Sequence, residues 1–276
     1  MEAVALDIRV LGPIEVVRDG HPVRLGGRKQ RAVLALLVID VGRVVSSDRL
    51  LDEVWSDEVG SGRSLQVYVS ELRRLLGDPG RIRGEAGGYR LTAGRHELDA
   101  ARFEEFAEEG RERSLAGDPA AASRALRDGL SLWRGAPYAD LEAEPFVEAE
   151  AARLMELRLV VLERRFDAEL ALGHHVDLIP ELEAVVAAEP LREGFRRQLM
   201  LALYRAGRQA DALAAYQDAR VTLRDELGLD PGPELQRLEL EILRQEPSLD
   251  VERHGLHCER PVQRSASVTR PSLRIP

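Results

Sequence analysis

The stretch that decides the fold of the first third of the chain is residues 63–76, which read RSLQVYVSELRRLL. Its apolar residues recur at the spacing i, i+4, i+7, i+11, and they are Leu65, Val69, Leu72 and Leu76. This period predicts an amphipathic helix with one buried stripe. The breaker sequence Gly77-Asp78-Pro79 follows directly and is expected to end the helix.

The opposite face of this helix carries groups that can read DNA bases. The residues on or beside that face are Arg63, Gln66, Val67, Ser70, Arg73 and Arg74. Arginine pairs with guanine, glutamine pairs with adenine, and valine contacts the thymine methyl group in a major groove. An ordinary amphipathic helix with a solvated polar face would show the same composition, so the helix alone leaves both interpretations open.

The order of the neighbouring elements favours DNA reading. Apolar alternation predicts strands near residues 6–10, 14–16 and 23–25, followed by helices at 28–40 and 48–55. Ser47-Asp48 is expected to cap the second helix. A hairpin follows the helix at 63–76, over 81–91, with glycines near its turn. This order is typical of a winged helix with an extra N-terminal sheet.

The hairpin would then be the wing beside the DNA. Arg83 and Arg90 are expected to reach phosphate or a minor groove. Glu71 and Glu85 oppose contact with phosphate, so each is expected to point away, pair with an arginine or accept from cytosine.

Charge divides the chain into unlike parts. The net charge is +1 over residues 1–98, −12 over 99–246 and +2 over 247–276, within a total of −9. Residues 63–95 alone carry seven arginines against three acids. A local basic surface on an acidic protein is what attraction to phosphate requires, although a solvated face would also explain it.

From residue 101 onward the pattern is helical. Amphipathic segments are predicted at 101–116, 119–133, 145–172, 176–188, 191–206, 209–226 and 234–245. Short joints between them indicate antiparallel pairs. Gly173-His174-His175 with Asp177 precedes Gly207-Arg208-Gln209 with Asp211 by 34 residues, which is the period of tetratricopeptide repeats. The fold class is therefore an α+β winged helix at 1–98, an all-α repeat domain at 99–246, and a polar tail at 247–276 that is expected to be flexible.

Four motifs resemble a known family. SLQVYVSELRR at 64–74 and GGYRL at 87–91 resemble the output domain of OmpR/PhoB-type regulators. LWRGAPY at 132–138 and ELGLDPGPEL at 226–235 resemble the bacterial transcriptional activation domain. In this order, over roughly residues 5–246, the chain resembles the Streptomyces antibiotic regulatory protein family in its short form.

The resemblance implies a transcriptional activator of a secondary-metabolite gene cluster. It implies binding to direct repeats near the −35 region, a head-to-tail dimer on DNA, and contact with RNA polymerase and its sigma factor. Carried over by position, the DNA contacts are Arg63, Gln66, Val67, Ser70, Arg73 and Arg74, with Tyr68 at a phosphate. The alternative is a helical-repeat adaptor whose N-terminal domain docks protein.

Other chemistry has little support in the sequence. Gly26-Gly27-Arg28-Lys29-Gln30 lacks the spacing of a phosphate loop, although Arg28 or Lys29 could meet a phosphate at a helix start. His254, His257 and Cys258 have no second ligand cluster, and His174-His175 is expected to be solvated or capping. Neither an enzyme nor a cofactor or metal is predicted. With no long apolar run and no secretory signal, a cytoplasmic location without membrane contact is expected.

Overall fold

The computed structural model describes residues 5–55 and 62–250. The N-terminal part begins with three strands, β1 (Leu6–Arg9), β2 (Glu15–Arg18) and β3 (His21–Val23). They form an antiparallel sheet in the order β1-β2-β3, with Ile8 opposite Val16 and Val16 opposite Val23. Side chains alternate along β1, and Leu6 and Ile8 are the buried ones. The predicted alternation is therefore confirmed.

Three helices and a second sheet complete the winged helix. The helices are α1 (Arg28–Ile39), α2 (Ser47–Val54) and α3 (Gly62–Leu75). The strands are β4 (Val44–Ser46), β5 (Ile82–Glu85) and β6 (Gly88–Leu91), in the order β4-β6-β5. The hairpin β5–β6 is the predicted wing. β4 was not predicted, because three residues are too few to show an alternation.

Seven helices form the rest of the described chain. They are α4 (Asp99–Leu115), α5 (Pro119–Leu130), α6 (Pro145–Ala171), α7 (His175–Ala188), α8 (Glu193–Arg205), α9 (Gln209–Leu227) and α10 (Pro233–Arg244). Five of their six joints are three to five residues long, as predicted, whereas residues 131–144 separate α5 from α6. Pro119, Pro145 and Pro233 each begin a helix, where the missing N–H of proline removes no hydrogen bond. No helix of the described ranges is both long and apolar enough to cross a bilayer.

Two apolar cores hold these elements together. The first runs from Leu6 through the winged helix to Val161, and the second runs from Phe166 to Leu249. Helix α6 joins them, because its 27 residues span about 40 Å at 1.5 Å per residue. Its first half packs into the first core through Leu154, and its second half packs into the second core through Leu170.

Two predicted boundaries were wrong. The N-cap of α2 is Ser46, whose hydroxyl accepts from the Arg49 N–H at 3.1 Å, and Ser47 is the first residue of the helix. Helix α5 ends at Leu130 and not at 133. Residues 132–138 leave the helix because their backbone bonds to the loop after β1, so a tertiary contact replaces the local pattern.

Candidate nucleic-acid interface

Helix α3 is fixed on one side by the predicted apolar stripe. Leu65, Val69 and Leu72 are almost fully buried, and Leu76 beyond the helix end is buried as well. Tyr68 is half-buried, and its ring lies 5.8 Å from that of Trp55 at the end of α2. Helices α2 and α3 therefore form a helix–loop–helix unit with one face of α3 turned to solvent.

The solvent side of α3 gathers most of the predicted contacts. The exposed side chains, called here the reading face, are Arg63, Gln66, Val67, Ser70 and Arg74. They provide two cations, one amide, one hydroxyl and one small apolar group within three turns of helix. Val67 is about half exposed at 52%, which leaves its methyl groups accessible.

Arg73 departs from the expectation that it lies on the exposed face. It is half-buried, and its Nε donates to the carbonyl oxygen of Ile82 in β5 at 2.8 Å. This bond ties α3 to the wing. Arg73 is therefore held between α3 and the wing, and replacing it would disturb their relative position.

Arg18 of β2 bonds to the other end of α3, a contact that no sequence pattern predicted. Its Nη1 donates to the carbonyl oxygens of Leu75 at 3.2 Å and Arg74 at 3.5 Å. These carbonyls belong to the last turn, where a helix lacks internal partners and a cation is favoured. The N-terminal sheet thus stabilises the C-terminus of α3.

Both acids near the interface bond within the protein, but only Glu85 pairs with an arginine as predicted, whereas Glu71 bonds a neutral glutamine. Glu71 accepts from Nε2 of the buried Gln30 in α1 at 2.8 Å. Glu85 in the wing forms an ion pair with Arg90 at 2.8 Å. Neither carboxylate is left to oppose a phosphate without a partner.

The two arginines predicted to contact DNA from the wing lie in different environments. Arg83 and Arg90 are opposite each other in the β5–β6 register, but Arg83 is exposed while Arg90 is half-buried and paired with Glu85. Gly88 allows the wing to approach the body of the domain, because a Cβ there would lie 2.1 Å from the carbonyl oxygen of Val45. Arg83 is thus the more available cation of the wing.

The start of α1 does not offer a free phosphate site at Arg28. The Arg28 Nε lies 2.6 Å from a carboxylate oxygen of Glu144, which is buried ahead of α6. Lys29 extends over the Trp55 ring, with Nζ 5.6 Å from the ring centroid. Both side chains therefore stabilise contacts between elements of the protein.

Known proteins share this arrangement over most of the chain. The family model described as "Transcriptional regulatory protein, C terminal" matches residues 20–91, and the bacterial transcriptional activator domain matches residues 98–243. Regulatory protein DnrI of Streptomyces peucetius is 38% identical over 257 residues, which are 89% of this chain and 94% of DnrI. The chain belongs to the Streptomyces antibiotic regulatory protein (SARP) family.

Other relatives of this SARP-family regulator are longer. Regulatory protein AfsR of Streptomyces coelicolor is 43% identical over 251 residues, which are 90% of this chain and 25% of AfsR. The solved structure of Mycobacterium tuberculosis EmbR in complex with a low affinity phosphopeptide matches with a TM-score of 0.84 and 40% identity. That match covers 89% of this chain and 66% of the EmbR chain. The chain therefore spans about a quarter of the length of AfsR and about two thirds of that of the EmbR chain.

The motif at 132–138 attaches the helical part of the SARP-family regulator to its winged helix. The Arg134 N–H donates to the carbonyl oxygen of Leu11 at 2.7 Å, and the Tyr138 N–H donates to that of Val10 at 3.0 Å. Tyr138 is fully buried and has a left-handed backbone with φ of +54°. Gly12 permits the approach, because a Cβ there would lie 3.0 Å from Cβ of Arg134.

Two aspartates complete this contact, which we call the seam. The carboxylate of Asp99, at the start of α4, accepts from the Val10 N–H at 2.8 Å and from the Leu11 N–H at 3.0 Å. Burial raises the pKa of Asp99, while those hydrogen bonds and the charge of Arg134 oppose the shift. Asp140 accepts from the Ile14 N–H at 2.9 Å. The seam thus joins the winged helix to α4 and to the α5–α6 loop.

His174 of the repeat has a structural role at the α6–α7 joint. His174 is half-exposed, and its Nδ1 lies 2.6 Å from a carboxylate oxygen of the buried Glu169. Glu169 also accepts from the Ser123 hydroxyl at 2.5 Å. Burial raises the pKa of Glu169, but the bonds from His174, Ser123 and Arg127 outweigh it and leave that pKa lowered.

No metal-binding cluster of three or more His, Cys, Asp or Glu residues occurs in the part of the chain that the structure describes. The trio His254, His257 and Cys258 lies outside the described residues.

Proposed function

We propose that this regulator is a sequence-specific DNA-binding transcriptional activator of a secondary-metabolite gene cluster. The observation that carries the proposal is the reading face of α3, displayed on a helix whose other face is buried. Arg18 and Arg73 fix that helix at its end and at the wing. A rigid helix with exposed base-reading groups is what direct readout in a major groove needs.

The residues divide by proposed role. Those on the reading face contact bases or the phosphates beside them. Arg73 and the half-buried Tyr68 contact phosphate at the edges of the helix, and Arg83 and Arg90 contact the backbone or a minor groove from the wing. Arg83 contributes more than Arg90, because Glu85 already neutralises Arg90.

The proposed division of labour follows the charge. Residues 1–98 bind promoter DNA, and the acidic helices of 99–246 contact RNA polymerase and its sigma factor. Direct repeats near the −35 region place two protomers head to tail, since a repeat has no two-fold axis. The seam supports this proposal, because it holds the polymerase-contacting part at a fixed position relative to the bound site.

Footprinting of the purified protein on the intergenic regions beside its own gene tests the proposal. Protection of two or more equally spaced direct repeats near a −35 element is expected. Absence of protection at low salt by folded protein would contradict DNA binding and favour the adaptor alternative, in which this surface docks protein.

Charge reversal at Arg74 tests the reading face without disturbing the wing. Loss of a good base contact costs about 1–3 kcal/mol of binding free energy, so Arg74→Glu is expected to weaken operator affinity by about 5-fold to 150-fold. Arg124→Glu, an equal charge change at an exposed position of α5, is the matched control and should preserve affinity. Equal affinities of the two variants would remove Arg74 from the interface.

A further inference from the structure

Exposed apolar side chains concentrate at one end of the helical part. Ten large apolar residues of the described ranges are strongly exposed, and half of them are in α9, α10 and the turn between them: Val221, Leu227, Leu229, Leu240 and Leu243. Single exposed apolar residues are ordinary on protein surfaces, but a concentration marks a contact surface. These residues therefore need an occupant.

The turn between α9 and α10 is held in place by its own contacts, although two of its leucines are exposed. Gly228 has φ of +68° and ends α9 in a left-handed cap. Asp230 pairs with Arg224 at 2.9 Å, and the Gly232 N–H donates to Glu193 of α8 at 2.7 Å. The motif ELGLDPGPEL at 226–235 is thus anchored while Leu227 and Leu229 project into solvent.

The surroundings of these leucines are acidic. Residues 221–250 contain eight acids against three arginines. Asp225, Glu226 and Glu234 form no ion pair or side-chain hydrogen bond with other residues of the described ranges. The α9–α10 end is therefore an apolar surface with unpaired carboxylates at its rim, and it fits a basic segment that carries apolar side chains.

The chain itself contains such a segment. Residues 251–276 carry five arginines against two glutamates, giving +3. Their aliphatic side chains are Val251, Leu256, Val262, Val268, Leu273 and Ile275. Both the sign of the charge and the apolar content complement the α9–α10 end.

The segment starts beside this surface. Leu249, five residues after the end of α10, is buried, and its carbonyl oxygen accepts from Arg205 Nε at 2.7 Å, so the described chain ends near the C-terminal end of α10. Helix α10 has 12 residues and is about 18 Å long. About six extended residues would cover that length, and 26 are present.

We propose that residues 251–276 bind back along α10, over Leu240 and Leu243, toward Leu227 and Leu229 at the turn. The aliphatic side chains of the segment cover the leucines, and its arginines pair with the rim carboxylates. The arginines of the segment are then engaged within the protein instead of with DNA phosphate. This contact is independent of operator binding by α3.

A nitroxide on Cys258, the single cysteine of the chain, tests the proposal in the full-length protein. A slow-motion component is expected in its electron paramagnetic resonance spectrum. The double variant Leu240→Lys/Leu243→Lys removes the apolar contact and repels the segment, so it should lose that component. Because both positions are exposed, circular dichroism should show unchanged helicity.

The matched control is Leu115→Lys/Val176→Lys, which makes the same change at exposed positions on α4 and α7. It should keep the slow component. A fast, single-component spectrum of the unsubstituted protein would overturn the proposal, as would equal spectra of the two double variants. A slow component that disappears on dilution would also overturn it, because a second copy would then be the occupant.

Discussion

Helices α3 and α10 bury similar residues and expose different ones. Helix α3 buries Leu65, Val69 and Leu72, and α10 buries Leu235, Leu238 and Ile242. The outer face of α3 carries arginines, an amide and a hydroxyl, whereas that of α10 carries leucines together with carboxylates and the exposed Arg237 and Arg244. The buried stripe places each helix in the fold, while the outer face selects its class of partner.

The two helices also differ in how firmly their surroundings hold them. Arg18 bonds the end of α3, Gln30 bonds Glu71 in its middle, and Arg73 connects it to the wing. The hydrogen bonds from other helices to α10 come from α9 alone within the described ranges: Gln209 donates to the Ile242 carbonyl at 3.1 Å, and Gln217 donates to Glu239 at 3.3 Å. Reading bases requires a fixed helix, whereas an apolar surface tolerates small shifts of its occupant.

The largest expected effect on stability is at the seam. The comparison of α3 with α10 depends on this contact, because it connects the winged helix, which contains α3, to the helical part, which contains α10. Asp99→Ala leaves the N–H groups of Val10 and Leu11 buried without their acceptor. Each buried N–H left without a partner costs about 1–3 kcal/mol, so the pair should cost about 2–6 kcal/mol of unfolding free energy. Urea denaturation should show that loss.

Asp128→Ala is the control for the seam variant, because Asp128 is exposed on α5 and its carboxylate has no recorded partner in the described ranges. It should change stability by no more than about 0.5 kcal/mol. A single unfolding transition of Asp99→Ala at wild-type urea concentration would show that the seam does not join the parts.

The next effect contrasts a buried leucine of α3 with an exposed one of α10. Leu72 is fully buried, so Leu72→Ala should cost about 2–5 kcal/mol of stability through a cavity. Leu240 is 49% exposed, so Leu240→Ala should stay within about 0.5 kcal/mol. Thermal unfolding of both variants measures the difference. Similar losses would mean that the outer face of α10 contributes to folding and not to binding.

The sequence predicted the buried half of this comparison well. Period 3.6 identified the stripe of α3 and the lengths of most helices, because burial leaves a periodic signature along the chain. It did not predict Arg18 at the end of α3, the Arg73–Ile82 bond, or the seam contacts of Asp99. Those contacts join residues far apart in sequence, and no local pattern encodes their meeting.

Acid should weaken both parts through buried glutamates. Arg81 lies 2.6 Å from Glu97 in the winged helix, and His174 lies 2.6 Å from Glu169 in the helical part. Burial raises the pKa of each glutamate, but the hydrogen bonds outweigh it and leave both pKa values lowered. The two ionised glutamates therefore contribute their full stabilisation of the fold when the pH is above their unfolded pKa of about 4.5. That contribution is lost as the pH falls through their lower pKa in the folded protein.

Glu169→Gln removes one of these two acid-sensitive groups. Its unfolding free energy should depend less steeply on pH below about 4.5 than that of the wild type. Urea titrations at several pH values measure this slope, and Glu97→Gln is the matching variant in the winged helix. An unchanged slope in Glu169→Gln would show that its carboxyl titrates alike in the folded and unfolded chain.

The smallest effect compares the helix caps of the two parts. Ser46 accepts from the Arg49 N–H at 3.1 Å and begins α2, while Asp118 accepts from the Ala121 N–H at 3.0 Å and begins α5. Replacing either residue by alanine should cost about 1 kcal/mol of stability. Ser46→Ala should also weaken operator binding in a gel-shift titration, because α2 supports α3, whereas Asp118→Ala should leave it unchanged. If Ser46→Ala and Asp118→Ala lost the same stability and also the same operator affinity, the position of α3 would depend on the stability of the whole protein and not on its contact with α2.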